Sequence, residues 1–126
     1  FMGAANLLEG RVVQVQGGQC VVALADGARF TAGLHHAAQP GDAVTLMLRP
    51  EDLAILPAAP AEAGNSLCAT VLDSTLLGSV LEYRLQAGPL LAGSVVLRAQ
   101  APRGISFAAG AVVWLAAAPN RCIALA

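Results

Sequence analysis

Residues 44–56 read VTLMLRPEDLAIL, and this run already points to short strands with sharp ends. Val44, Leu46 and Leu48 recur at every second position, the period of a strand with one buried face. Pro50 lacks the N–H that a ladder needs, so the strand ends or meets a sheet edge there. Arg49, Glu51 and Asp52 crowd the corner that follows. A guanidinium pairs bidentately with carboxylates. Arg49 and Glu51 are therefore candidates for an interdomain or subunit contact, or for an internal clamp that holds the corner.

Upstream of this corner the chain reads as strands parted by turns. Residues 10–16 alternate, with Val13 and Val15 on one face and Gln14 and Gln16 on the other. Gly17-Gly18 and Asp26-Gly27 are tight-turn signals on either side of an apolar stretch at 19–24. A short strand over 28–32 follows, and Pro40-Gly41-Asp42 turns the chain into the strand at Val44.

Downstream, residues 57–64 hold two prolines and several alanines and read as an extended connector. Strands are then expected at 67–72, 79–86, 94–99, 111–117 and 121–125, with a bend at 76–78. In the second of these Leu81, Tyr83 and Leu85 face in. Glu82, Arg84 and Gln86 face out, where cross-strand charge pairs form. No stretch shows a capped 3.6-residue period. The fold class is all-β, with two similar halves of four to five strands and no evident sequence repeat. The divisions expected are 1–56, the connector 57–64, and 65–126.

Composition narrows the function. The chain of 126 residues is 56% apolar, carries a net charge of −1, and has seven arginines and no lysine. Those arginines are scattered singly and only 4% of residues are aromatic, which argues against nucleic-acid binding. No run reaches the roughly 18 apolar residues of a membrane helix. Phe1 and the lack of a basic, then apolar leader suggest a piece of a longer protein.

Catalytic and metal-binding patterns are missing from the sequence. Cys20, Cys68 and Cys122 are widely spaced, without the close pairs typical of zinc sites, and read as free thiols in a reducing compartment. His35 and His36 are neighbours, so on an extended chain they point apart. None of Ser66, Ser74, Ser79, Ser94 or Ser106 lies in a G-x-S-x-G elbow. Without a lysine there is no phosphate loop of the Walker kind. The chain is expected to be no enzyme by itself and to hold no catalytic residue, cofactor or metal.

Several landmarks together resemble a known family. They are Phe1-Met2-Gly3 with Asn6, Gly10-Arg11-Val12, Leu48-Arg49-Pro50-Glu51, Ala69-Thr70-Val71 through Leu77-Gly78 to Tyr83, and Gly110, Val113, Trp114, Pro119, Arg121 and Cys122. In order and spacing they are similar to the TOBE (transport-associated OB) region at the C-terminus of the ATPase subunits of ATP-binding cassette importers. The resemblance implies two small OB-like antiparallel β-barrels that regulate an ATPase and pair with a second copy of that subunit. It places ATP, magnesium and the membrane permease contacts on a nucleotide-binding domain outside this chain. It also implies a cytoplasmic location, peripheral at the inner face of the cell membrane.

A different reading makes the chain a sensor of small anions, as in related molybdate-binding barrels. Such sites use backbone N–H groups and hydroxyls. Ser74, Thr75 and Ser79 around Gly78 are the residues expected to form one, with an ordinary turn of small residues as the plainer account.

Overall fold

The alternation at 44–48 does bury one face: Val44, Leu46 and Leu48 are in the core, and the strand stops before Pro50. The computed structural model describes residues 5–24, 28–34, 36–60, 64–87, 95–102, 104 and 106–125. Within them the first half comprises β1 (Asn6–Gln16), β2 (Gln19–Ala23), β3 (Arg29–Leu34), β4 (Ala43–Leu48), a 3-10 turn at Pro50–Asp52 and β5 (Ala54–Leu56). The second half repeats that order with β6 (Ser66–Leu77), β7 (Val80–Ala87), β8 (Val95–Pro102), β9 (Val112–Ala116), a 3-10 turn at Pro119–Arg121 and β10 (Ile123–Leu125). The turn expected at Asp26-Gly27 and the stretch Phe1-Met2-Gly3 lie outside the described residues.

The halves match in detail. Each first hairpin carries one extra residue, Val13 in β1 and Leu72 in β6, where the register slips. Such a bulge turns the following side chains over and sharpens the twist. Val12 lies in the core and Val13 is exposed, while Val15 packs against the core, so Val13 and Val15 do not share the one face expected of them. Gly41 donates its N–H to the Val12 carbonyl while Val12 donates to Asp42; Gly110 and Val71 repeat the pattern, with Ala111 as the second acceptor. The hairpin turns also correspond. Gly17 and Gly78 both sit at φ +60°, as the first central residue of a two-residue turn of the II′ kind does. The bend expected at 76–78 is strand up to Leu77, because β6 and β7 stay paired to Leu77 and Val80.

The halves exchange their last strands. β5 leaves the first half and pairs with β9, giving the sheet order β5-β9-β6-β7-β8. β10 leaves the second half and slots between β3 and β4, and the first sheet closes as a barrel in the order β1-β2-β3-β10-β4. β10 runs antiparallel to β4 but parallel to β3, so one ladder departs from the antiparallel expectation. An arriving strand that separates two antiparallel neighbours must run parallel to one of them. The outcome is an OB-like, all-β fold whose core draws on both halves, from Leu8 and Phe30 to Leu115 and Ala124.

Candidate functional site

The exchange places three polar features where the halves meet. Asn6, 6% exposed at the start of β1, donates from Nδ2 to the Arg98 carbonyl at 2.7 Å and accepts the Arg98 N–H on Oδ1 at 2.8 Å. Asn65, just before β6, does the same to Thr31, with bonds of 2.7 and 2.8 Å. Each carboxamide thus mimics a strand and ties one half to the backbone of the other. Asn65 Nδ2 also reaches the buried Cys122 Sγ at 3.4 Å, and that thiol donates to the Ala118 carbonyl. Burial pushes the Cys122 thiol up from its ordinary value, with the Asn65 amide pulling the other way.

The two 3-10 turns complete the junction. Pro50, the first residue of its turn, is buried, and the turn packs on β8 of the other half. The second turn packs on β3. Asp52 and Arg121 come within 3.9 Å of each other, with the Asp52 side chain mostly covered and that of Arg121 mostly exposed. Arg49 and Glu51, the residues singled out at this corner, both face solvent. Neither takes an ion pair among the described residues. Pro50 and Leu53 supply the buried contact there.

Ser74 and Thr75 lie on the exposed end of β6, opposite Tyr83 and Glu82, and Ser79 follows Gly78 in the turn. Successive strand residues point to opposite faces, so the backbone does not bring these hydroxyls to one point. The firm feature of this hairpin is ionic: Arg84 grips Asp73 with Nε to Oδ1 at 2.8 Å and Nη2 to Oδ2. The guanidinium holds the Asp73 carboxyl below the usual carboxylate range, and Asp73 in turn raises Arg84.

Open clefts lie on the first half: one of about 740 Å³ runs along Glu9–Arg11 and β4, and another of about 580 Å³ includes His36 and Asp42. His35 falls outside the described residues. All three thiols are free: Cys20 and Cys122 buried, Cys68 half-buried. Among the described residues no group of three His, Cys, Asp or Glu side chains is placed to hold a metal, and no helix is long and apolar enough to cross a membrane.

Sequence reasoning foresaw the outward charges on β7 but missed both asparagine clasps and the Asp52–Arg121 pair. An isolated Asn beside a turn gives no signal that it is buried, since turns are where Asn is ordinarily found.

The pattern of the TOBE domain family matches residues 46–125. Over 90 residues, 69% of this chain, the sequence is 38% identical to the spermidine/putrescine import ATP-binding protein PotA of Rubrobacter xylanophilus. It is 31% identical over 122 residues, 95% of the chain, to the spermidine/putrescine import ATP-binding protein PotA 1 of Pseudomonas aeruginosa. The matched stretches span only 22% and 31% of those relatives' lengths. Among solved structures, the cytoplasmic molybdate-binding protein ModG superposes with a TM-score of 0.79 at 17% identity, covering 98% of this chain and 96% of that one.

Proposed function

The chain belongs to the TOBE domain family, and on that premise we propose that it is the regulatory, subunit-pairing part of the ATPase component of an ABC-type solute importer. The carrying observation is the alignment with two import ATP-binding proteins, one of them over 95% of the chain. On this reading hydrolysis, ATP and magnesium belong to a nucleotide-binding domain outside these residues, as do the contacts with membrane permease subunits. The chain itself performs no catalysis and works in the cytoplasm, at the inner face of the membrane. Its partner is the second ATPase subunit. Both relatives import polyamines by name, so spermidine and putrescine are the first solutes to assay.

A regulatory role suits the construction. The two halves are joined by exchanged strands and by mutual asparagine clasps, which gives a physical connection between the two sheets. A second reading, a small-anion sensor, draws on the fold shared with a molybdate-binding protein. Ser74, Thr75 and Ser79 remain its candidate residues, though their divergence disfavours a single pocket built from these three alone.

Sedimentation of the chain over a range of concentrations, with and without molybdate, sulfate and phosphate, separates the two. A concentration-dependent dimer indifferent to anions supports pairing. A monomer that changes state with one anion overturns it in favour of the sensor.

A further inference from the structure

The outer face of β6, β7 and β8 carries charge that the fold does not use. Its side chains fall in cross-strand rows: Thr70, Gln86 and Val96; then Asp73, Arg84 and Arg98; then Thr75, Glu82 and Gln100. Arg84 stands opposite both Asp73 and Arg98, and its guanidinium is committed to Asp73. Arg98 is exposed and takes no ion pair among the described residues, and neither does the half-buried Glu82. Like charges directly opposite one another weaken a sheet. The first half builds the same row on the same bulged hairpin with Gln14, Val21 and Thr31, none of them charged. The framework therefore stands without the arginines, and their presence on one of two equivalent faces calls for a role outside the fold.

The arrangement of these charges suggests the partner. Arg98 and Glu82 lie on a cross-strand diagonal, typically about 7–8 Å apart in such positions, yet they form no ion pair among the described residues. A two-fold contact requires a patch that complements itself, and unpaired opposite charges offset across one face meet that requirement. An axis lying between two such faces, across the diagonal, sets Arg98 over Glu82 of the second copy and Glu82 over its Arg98. Arg84, already neutralised by Asp73, then falls near the axis. Val96 and Val112 end the neighbouring row at 47% and 62% exposed and supply apolar area that exposed ion pairs cannot replace.

We infer that this face pairs two copies of the chain, with Arg98 of each against Glu82 of the other. The inference rests on the subunit-pairing reading above and adds to it the face and the contacts. Charge pairs of this sort set register and partner choice more than strength.

The test is sedimentation equilibrium on the 126-residue chain and on Arg98→Glu, Glu82→Arg and the double exchange, with thermal melts alongside. Each single variant juxtaposes like charges and is expected to raise the dimer Kd about tenfold or more. The double exchange restores it to within about threefold. Raising salt from 0.1 M to 1 M, which shortens the screening length from about 10 Å to about 3 Å, weakens the wild-type dimer in the same direction. The clasp from Asn6 uses the Arg98 backbone, not its side chain, so melts are expected to be unchanged; if Arg98→Glu melts early, Glu82→Arg and the double exchange carry the test. A dimer indifferent to every exchange overturns this face and leaves pairing in place. A wild-type chain that stays monomeric at all concentrations overturns the pairing reading itself.

Discussion

Asn6 and Asn65 hold the two halves together by one and the same device, each bridging the N–H and C=O of a single residue in the opposite half, Arg98 and Thr31 respectively. They stand at equivalent positions, at the start of β1 and immediately before β6. The exchanged strands β5 and β10 cross the same boundary in both directions. Because each clasp engages both the N–H and the oxygen of a carboxamide that is almost fully buried, it is satisfied only when both halves are folded and docked.

Truncating either asparagine to alanine is therefore expected to strand a buried backbone donor and acceptor. The cost should be about 1–3 kcal/mol for each, read as a fall in the urea midpoint. Asn65→Asp keeps the acceptor for the Thr31 N–H but sets a carboxylate oxygen against the Thr31 carbonyl, and should cost at least as much. A single cooperative transition is expected in all three variants, since neither sheet is complete without a strand from the other half. Two separated transitions would show that the halves unfold independently.

Gly10 and Gly78 separate two reasons for glycine. A Cβ on Gly10 would lie 2.5 Å from Val22 Cγ1 and 2.8 Å from the Ala23 carbonyl oxygen, which is backbone and cannot swing away. Gly10→Ala is expected to cost about 2–3 kcal/mol through overpacking. Gly78 has open space around it but sits at φ +60°, so Gly78→Ala meets backbone strain alone, about 1–3 kcal/mol. Chemical denaturation should show both variants destabilised, and a larger side chain should add to the cost at position 10 but not at position 78.

The sequence carried the strands but not the connections between sheets. Period-two alternation located β4 and β7, because side-chain direction there is fixed by the local backbone. The bulge at Val13 was invisible, since an extra residue is defined only by the partner strand it fails to match. The exchange of β5 and β10 was invisible for the same reason: three-residue strands such as Ile123–Leu125 carry no mark of which sheet they join. Of the residues singled out for a site, Arg49 and Glu51 lie on a turn that packs across the halves, yet it is their neighbours Pro50, Asp52 and Leu53 that make the contact.

The buried thiols give the fold an alkaline limit. Burial raises Cys20 and Cys122 above the ordinary thiol value of 9.0. The folded chain therefore keeps these protons at a pH where the unfolded chain releases them, and unfolding draws support from ionisation. The thiol contribution is complete below pH 9 and fades as pH rises above it. Urea midpoints measured from pH 7 to 10.5 should fall above pH 9, and the fall should be shallower in Cys122→Ala, which loses about 1 kcal/mol at neutral pH from missing contacts. In the native protein at pH 8, half-buried Cys68 is expected to react first with an alkylating reagent, as mass spectrometry of peptides would report.

Arg49 offers a direct test of what its corner does. The guanidinium is exposed and takes no ion pair among the described residues, while Pro50 and Leu53 beside it are buried. A surface side chain without such partners rarely changes stability by more than about 0.5 kcal/mol, so Arg49→Ala and Glu51→Ala should melt like the wild type. Leu53→Ala, in contrast, removes a side chain only 2% exposed and should cost about 2–5 kcal/mol. Melting and sedimentation measured together give each outcome a meaning. Unchanged melting with weakened association would assign Arg49 to a contact outside the chain. A loss of stability in Arg49→Ala comparable to that of Leu53→Ala would instead make the guanidinium an internal clamp on the corner, at odds with its exposure.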